Sequence, residues 1–216
     1  MRKKRFIKFI MKILICIMLV CCGIMKWSYM VGRQFYRMEQ EDTFNVLEEP
    51  NGLIIKWQDG VPKEQKDKTV GKFKRLPQNV QDKFIEDGWE IYLIEDTIYS
   101  YNSEVEEGTI ALITFDSKKI FFSIRSNSID KAFFHEFGHF IDSMGQQFDH
   151  KFMSNKEEFV KAMDKELKNM RYKPAKKDSK EFFAEVYSIS MERPEEAEKN
   201  YPKTLKLIRG RIKEYK

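Results

Sequence analysis

The sequence predicts an α+β fold, with a small, mostly antiparallel sheet followed by a helical half. β-rich runs gather between Trp89 and Ile124, and helical periodicity takes over from Ser128 onward. Hydrophobic residues make up 42% of the 216, with 18 phenylalanines. That is enough apolar material for one packed core, and more aromatic content than a disordered chain carries.

The elements follow in chain order. A basic cluster, Met1–Arg5, precedes an apolar run from Ile13 to Met25. Positive charge beside a short hydrophobic stretch predicts a secretory signal or signal anchor over residues 1–31. The uninterrupted run of 13 residues is short for a span. Counted from Phe9 to Val31, with Lys12 and Lys26 snorkelling, it reaches spanning length. The basic flank favours a cytoplasmic N-terminus. The expected location is therefore the cell membrane, with the remainder extracellular, or secretion after cleavage. Cys16, Cys21 and Cys22 all fall in this segment, as small hydrophobes or, in Leu19–Cys22, as a lipid acceptor. Beyond it no cysteine is left for a disulfide or a thiol nucleophile.

Residues 32–75 are mixed and charged, and predict a linker or tether with one short strand at Leu53–Trp57. Lys63–Thr69 reads as too polar to be buried. The ordered domain is expected over 76–216. Pro77 opens a helix whose stripe is Val80, Phe84 and Ile85, ended by Gly88. Trp89–Ile94, Thr109–Phe115 and Lys119–Ile124 predict strands, the last two joined by a turn at Asp116–Lys118. Ser128 caps a helix running to about Met144, where Gly145 ends it. Further helices are predicted at Glu157–Asn169, Ser179–Met191 and Thr204–Glu214.

The net charge of +5 belongs to the leader. Residues 1–26 hold seven of the 39 basic residues and no acid, which leaves 32 bases against 34 acids. A near-neutral domain without a basic patch argues against nucleic acid.

His135-Glu-Phe-Gly-His139 carries the chemistry. Residues four apart share a helical face, so both imidazoles can grip one Zn²⁺. Glu136 projects beside them, placed to take a proton from water that the metal acidifies. Phe133, Phe134, Phe137, Phe140 and Ile141 give this helix an apolar coat. Gly138 leaves room for another backbone or a substrate to come close.

A catalytic zinc takes three protein ligands and keeps one open position. A pattern with a third histidine on the same segment needs glycine at 142 and histidine at 145, where this chain has Asp142 and Gly145. His150 sits in an expected loop and reads as solvated. Glu181-Phe-Phe-Ala-Glu185 offers two acids on one helical face. They are either exposed acids of an amphipathic helix, or a third metal ligand, Glu181, with Glu185 steadying a ligand histidine.

The two motifs, some 40 residues apart, resemble the catalytic domain of anthrax lethal factor and its relatives, including the secreted clostridial Pro-Pro endopeptidases. The resemblance runs from about Leu76 to the C-terminus and implies a zincin-like fold of the Glu-zincin kind. It implies His135, His139 and Glu181 as ligands of one zinc per chain, Glu136 as general base, and Glu185 behind a ligand histidine. It also implies an oxyanion-stabilising tyrosine shortly before the glutamate helix. The expected place is near Pro174, and Tyr172 is the candidate; Tyr187, inside that helix, reads as packing. Family members hold an extended peptide along a sheet edge, and Lys119–Ile124 is either that strand or a buried hairpin strand.

The expected function is a zinc endopeptidase acting on extracellular or cell-surface proteins, tethered to the membrane through its N-terminus and monomeric. Two other readings stand beside it: a non-enzymatic binding or toxin-like surface module on the same fold, and a zinc hydrolase of a non-peptide amide. An intact Glu136 argues against a purely structural site.

Overall fold

The computed structural model describes residues 44–102, 105–143 and 152–214. The N-terminal leader with its three cysteines, Gly145 and His150 lie outside the described residues. Asn45–Lys216 form one compact unit.

The order is β1 (Asn45–Glu48), β2 (Ile54–Trp57), α1 (Lys63–Lys74), α2 (Gln78–Glu86), β3 (Glu90–Ile94), α3 (Ile98–Tyr101), β4 (Ala111–Thr114) and β5 (Lys119–Ser123). A helical half follows: α4 (Ser128–Ser143), α5 (Glu157–Glu166), α6 (Ser179–Glu192), α7 (Pro194–Asn200) and α8 (Pro202–Lys213). The architecture is α+β, as the sequence predicts.

The sheet is mixed rather than mostly antiparallel. Its order is β1-β2-β3-β5-β4, with β2–β3 and β3–β5 parallel and the two outer pairings antiparallel. The difference arises before Leu76. Residues expected as a tether supply β1 and α1 beside the strand foreseen at Leu53–Trp57, which is β2, and α1 with α2 is the crossover that lets β2 run parallel to β3. Helix α1 is charged along most of its length, and buries fully only Thr69 and Phe73. Phe73 nevertheless stands edge-on to Phe84 and Phe137, with ring centroids 5.5 and 5.8 Å away. One aromatic anchor is enough to hold a polar helix on the domain, since a buried phenylalanine contributes about 1.5–3 kcal/mol.

Ile91 and Leu93 of β3 and Ile120 and Phe122 of β5 alternate onto the face that meets the helices. On the other face Tyr92 packs on Phe121 at 5.0 Å, and Tyr101 of α3 covers Phe121 at 5.4 Å. Helix α4 lies on the first face through a run of rings: Phe122–Phe133 at 5.5 Å, Phe133–Phe137 at 4.8 Å and Trp89–Phe140 at 5.2 Å. The sequence's preference for phenylalanine is spent here, between sheet and α4. Phe137→Ala in this run should cost about 3–5 kcal/mol.

Capping marks some of the helical boundaries, while the Ser128 hydroxyl expected to cap α4 is buried without a hydrogen-bond partner among the described residues. The Asp178 side chain accepts the Lys180 N–H at 2.7 Å and starts α6. The buried Glu166 carboxylate accepts the N–H groups of Lys203 and Thr204, at 2.8 and 3.1 Å, and so caps α8 from a neighbouring helix. Pro194 and Pro202 open α7 and α8. Among the described residues, no helix is long and apolar enough to cross a membrane.

Candidate metal centre

The site lies between α4 and α6. The two helices approach closely because Gly138 on α4 faces Ala184 on α6: a Cβ added at Gly138 would stand 2.6 Å from the Ala184 Cα. The close approach foreseen at Gly138 is therefore to the backbone of α6. It brings Glu181 and Glu185 against the histidines of α4.

His135 Nε2 and His139 Nε2 face each other at 3.2 Å. One Glu181 oxygen lies 3.3 Å from His135 Nε2 and the other 3.4 Å from His139 Nε2. These separations test whether a metal fits. Ligands about 2.0–2.1 Å from a tetrahedral zinc stand about 3.3 Å from one another. The separations are of that order, so the three side chains could hold a zinc ion between them. His135, His139 and Glu181 are also a group whose ligand atoms all lie within 4.8 Å of one another.

The electrostatics ask for a cation. Three carboxylates, Glu136, Glu181 and Glu185, surround the two imidazoles. Burial opposes charge on His135, yet hydrogen bonds to Glu181 and Glu185 hold its proton until about pH 10. The His135 and His139 rings in turn keep the Glu181 carboxyl well below the usual range. A proton is bound tightly where a metal would sit, and the donor set of two imidazoles and a carboxylate suits zinc.

Glu185 lies on the far side of the first histidine, with its carboxylate 3.4 Å from His135 Nδ1. A carboxylate there favours the tautomer that presents Nε2 to a metal. Glu136 is buried beside the cluster, and burial pushes its carboxyl up while the neighbouring histidines oppose that. The main-chain N–H of Ile113 in β4 favours the charged form of this carboxylate.

The sheet order decides between the two readings of Lys119–Ile124 in favour of a buried hairpin strand. Strand β5, within Lys119–Ile124, lies between β3 and β4. The edge beside Glu136 is β4. Which strand ends a sheet is a matter of tertiary order, and local β-propensity does not encode it.

Tyr172 is 42% exposed, and its ring stands edge-on to His135 with centroids 5.9 Å apart. Partial burial and the charges of Glu181, Glu185 and Glu136 push its hydroxyl pKa up. Tyr187 is in the core, its hydroxyl shielded from solvent without a hydrogen-bond partner.

Sequence reasoning passed over Asp142 as a position that merely lacked glycine. It is fully buried, and its carboxylate accepts the N–H and hydroxyl of Ser154 at 2.8 and 2.5 Å. Arg211 of α8 donates to its main-chain carbonyl at 3.1 Å. The end of α4 is thus fixed one turn after His139. An acid three residues beyond the second histidine, on a helix otherwise coated with apolar residues, was the available signal.

No protein-family model matches the chain, and no curated protein sequence matches it. Solved structures do. The Pro-Pro endopeptidase PPEP-2 from Paenibacillus alvei aligns with a TM-score of 0.56 at 16% identity, over 72% of this chain and 96% of that one. At this identity the likeness speaks for the fold: the chain shares the zincin-like architecture of that endopeptidase.

Proposed function

We propose that the protein is a zinc-dependent endopeptidase, with His135, His139 and Glu181 as metal ligands. The two Nε2 atoms 3.2 Å apart, with one Glu181 oxygen 3.3 Å from the first and the other 3.4 Å from the second, and the buried Glu136 at their side, carry this reading. Bound zinc would supply Lewis acidity, acidifying water and polarising a scissile carbonyl.

Glu136 is the general base. Burial raises its proton affinity above that of an ordinary glutamate, while the two histidines and the Ile113 N–H oppose that rise. After attack it returns the proton to the leaving amine. Tyr172 stands beside His135 on a partly exposed wall and is the candidate donor to the developing oxyanion. Glu185 keeps His135 in the productive tautomer. The substrate is an extended peptide that adds to the β4 edge through main-chain hydrogen bonds. The basic and apolar leader supports an extracellular site of action, tethered or released.

Incubation of the purified full-length chain with a mixed peptide library tests this. Cleavage that needs zinc, stops with chelator and falls by about 10²–10⁴ in Glu136→Gln is the expected result. A zinc-loaded protein that cuts no peptide would contradict it.

A further inference from the structure

One wall of the site carries a charge the reaction does not explain. Residues 171–180 hold five basic side chains, Arg171, Lys173, Lys176, Lys177 and Lys180, against one acid, Asp178. Asp178 already accepts the Lys180 N–H in capping α6. The segment begins next to Tyr172, whose ring meets His135, and ends next to Glu181 of the metal triangle. Both of its ends are therefore held at the site.

Like Lys66, which stands 4.2 Å from the centre of the Trp57 ring, Lys180 rests on an aromatic ring, whereas several other half-buried lysines are held in ion pairs. Lys56 is paired with Glu90, Lys68 with Asp130 and Lys72 with Glu192, at 3.0, 2.9 and 2.8 Å. Lys180 makes no ion pair among the described residues. Its ammonium sits 4.1 Å from the centre of the Phe152 ring. Phe152 packs edge-on against Phe115, 6.0 Å away, and Phe115 directly follows the last residue of β4. A cation on an aromatic platform, without an ion pair among the described residues, thus links the first turn of α6 to the end of the edge strand. A peptide lying along β4 would pass it.

Resting on the peptidase reading, we infer that this wall selects peptides carrying carboxylate side chains, with Lys180 receiving one of them. The metal cluster alone is rich in carboxylates, so a substrate acid needs such a counter-charge nearby. The exposed lysines of the segment steer acidic peptides in, and Lys180 fixes one acid in register. Substitution by methionine would keep an apolar stem over Phe152 and remove only the charge.

The test is binding, which does not require turnover. Three fluorescent peptides of one length, differing only in a Glu, Gln or Lys pair, are titrated by anisotropy against zinc-loaded full-length Glu136→Gln protein. The Glu peptide should bind about 10-fold more tightly than the Gln peptide at low salt, with the gap closing as salt rises. Adding Lys180→Met should bring the gap to within about 2-fold and leave the Gln peptide's affinity in place, while Lys180→Arg keeps the gap. Equal affinity for the Glu and Gln peptides, a preference that survives Lys180→Met, or no binding of the Glu peptide overturns the inference. Hydrolysis of the same peptides by the Glu136-intact chain is read separately. Charge-selective binding without cleavage would sink the peptidase reading and leave this one standing.

Discussion

Gly138 and Ala184 touch with no side chain between them. A Cβ at position 138 would stand 2.6 Å from the Ala184 Cα and 3.0 Å from its carbonyl oxygen. This contact sets the distance between the helix that carries both histidines and the helix that carries Glu181.

Gly138→Ala should therefore separate α4 from α6. The expected cost is about 1–3 kcal/mol of stability, from overpacking against backbone that cannot turn away. Zinc affinity should fall with it, because Glu181 withdraws from both Nε2 atoms. Gly71→Ala is the control: it lies inside α1 with nothing within 4 Å of an added Cβ, and should stabilise by about 0.5–1 kcal/mol. Urea unfolding and zinc titration of both variants check the pair. Equal behaviour of the two would contradict the packing account.

Glu185→Gln removes the charge 3.4 Å from His135 Nδ1 and leaves the ligand triangle untouched. Zinc affinity should drop about 10- to 100-fold, as expected when the partner of a ligating histidine is weakened. Competition with a chromogenic chelator measures it, and an unchanged affinity would show that Glu185 does not orient the ring.

Metal uptake should release a proton. In the metal-free protein His135 stays protonated until about pH 10, against its burial, through Glu181 and Glu185. A histidine must be neutral to ligate. Zinc titrated in near pH 7 into buffers of different ionisation enthalpy should displace about one proton per site. The sign also fixes the metal-free protein's own behaviour. The folded-state pKa is raised, so this histidine's contribution to stability is full below about 6.5 and is lost as pH rises through about 10. No proton release on zinc binding would contradict the assignment of His135.

The two motifs were legible from sequence because each is built from local rules, while the meeting of Glu181 with the two histidines was foreseen only through the family resemblance. The i, i+4 spacing sets His135 and His139, and the same spacing sets Glu181 and Glu185. The helices carrying them were bounded to within a few residues, since apolar stripes are local, as is the Asp178 cap of α6. What escaped reading is long-range. Helix α1 hides its membership in one buried aromatic, Phe73, among lysines and acids. The parallel pairing of β2 with β3, the edge position of β4 and the Ser154 bonds to Asp142 depend on chain segments that meet only after folding.

Asp142 gives a pH test away from the metal. Burial pushes its carboxyl up, and the two bonds from Ser154 offset that only in part. A raised folded-state pKa means its contribution is most favourable below about 4 and is lost as pH rises through the folded value. An asparagine at this position cannot ionise and can still accept from the Ser154 N–H. The stability of Asp142→Asn relative to the natural chain should therefore improve as pH rises from about 4 to about 7. A gap that stays constant in urea midpoints would contradict the sign.

Tyr172→Phe deletes a hydroxyl beside His135 without changing the ring that meets it. If that hydroxyl donates to the oxyanion, kcat should fall about 10²-fold with zinc affinity unchanged. A variant that keeps its kcat would leave Tyr172 as a wall of the cleft.

The most direct test of the account is the zinc stoichiometry and affinity of the full-length chain beside Glu181→Ala. The geometry predicts one zinc per chain, held by two histidines and Glu181, and a loss of affinity of at least about 10-fold when Glu181 is removed. A protein that binds no zinc, or binds it equally well without Glu181, would contradict the claim that these three side chains form a metal centre.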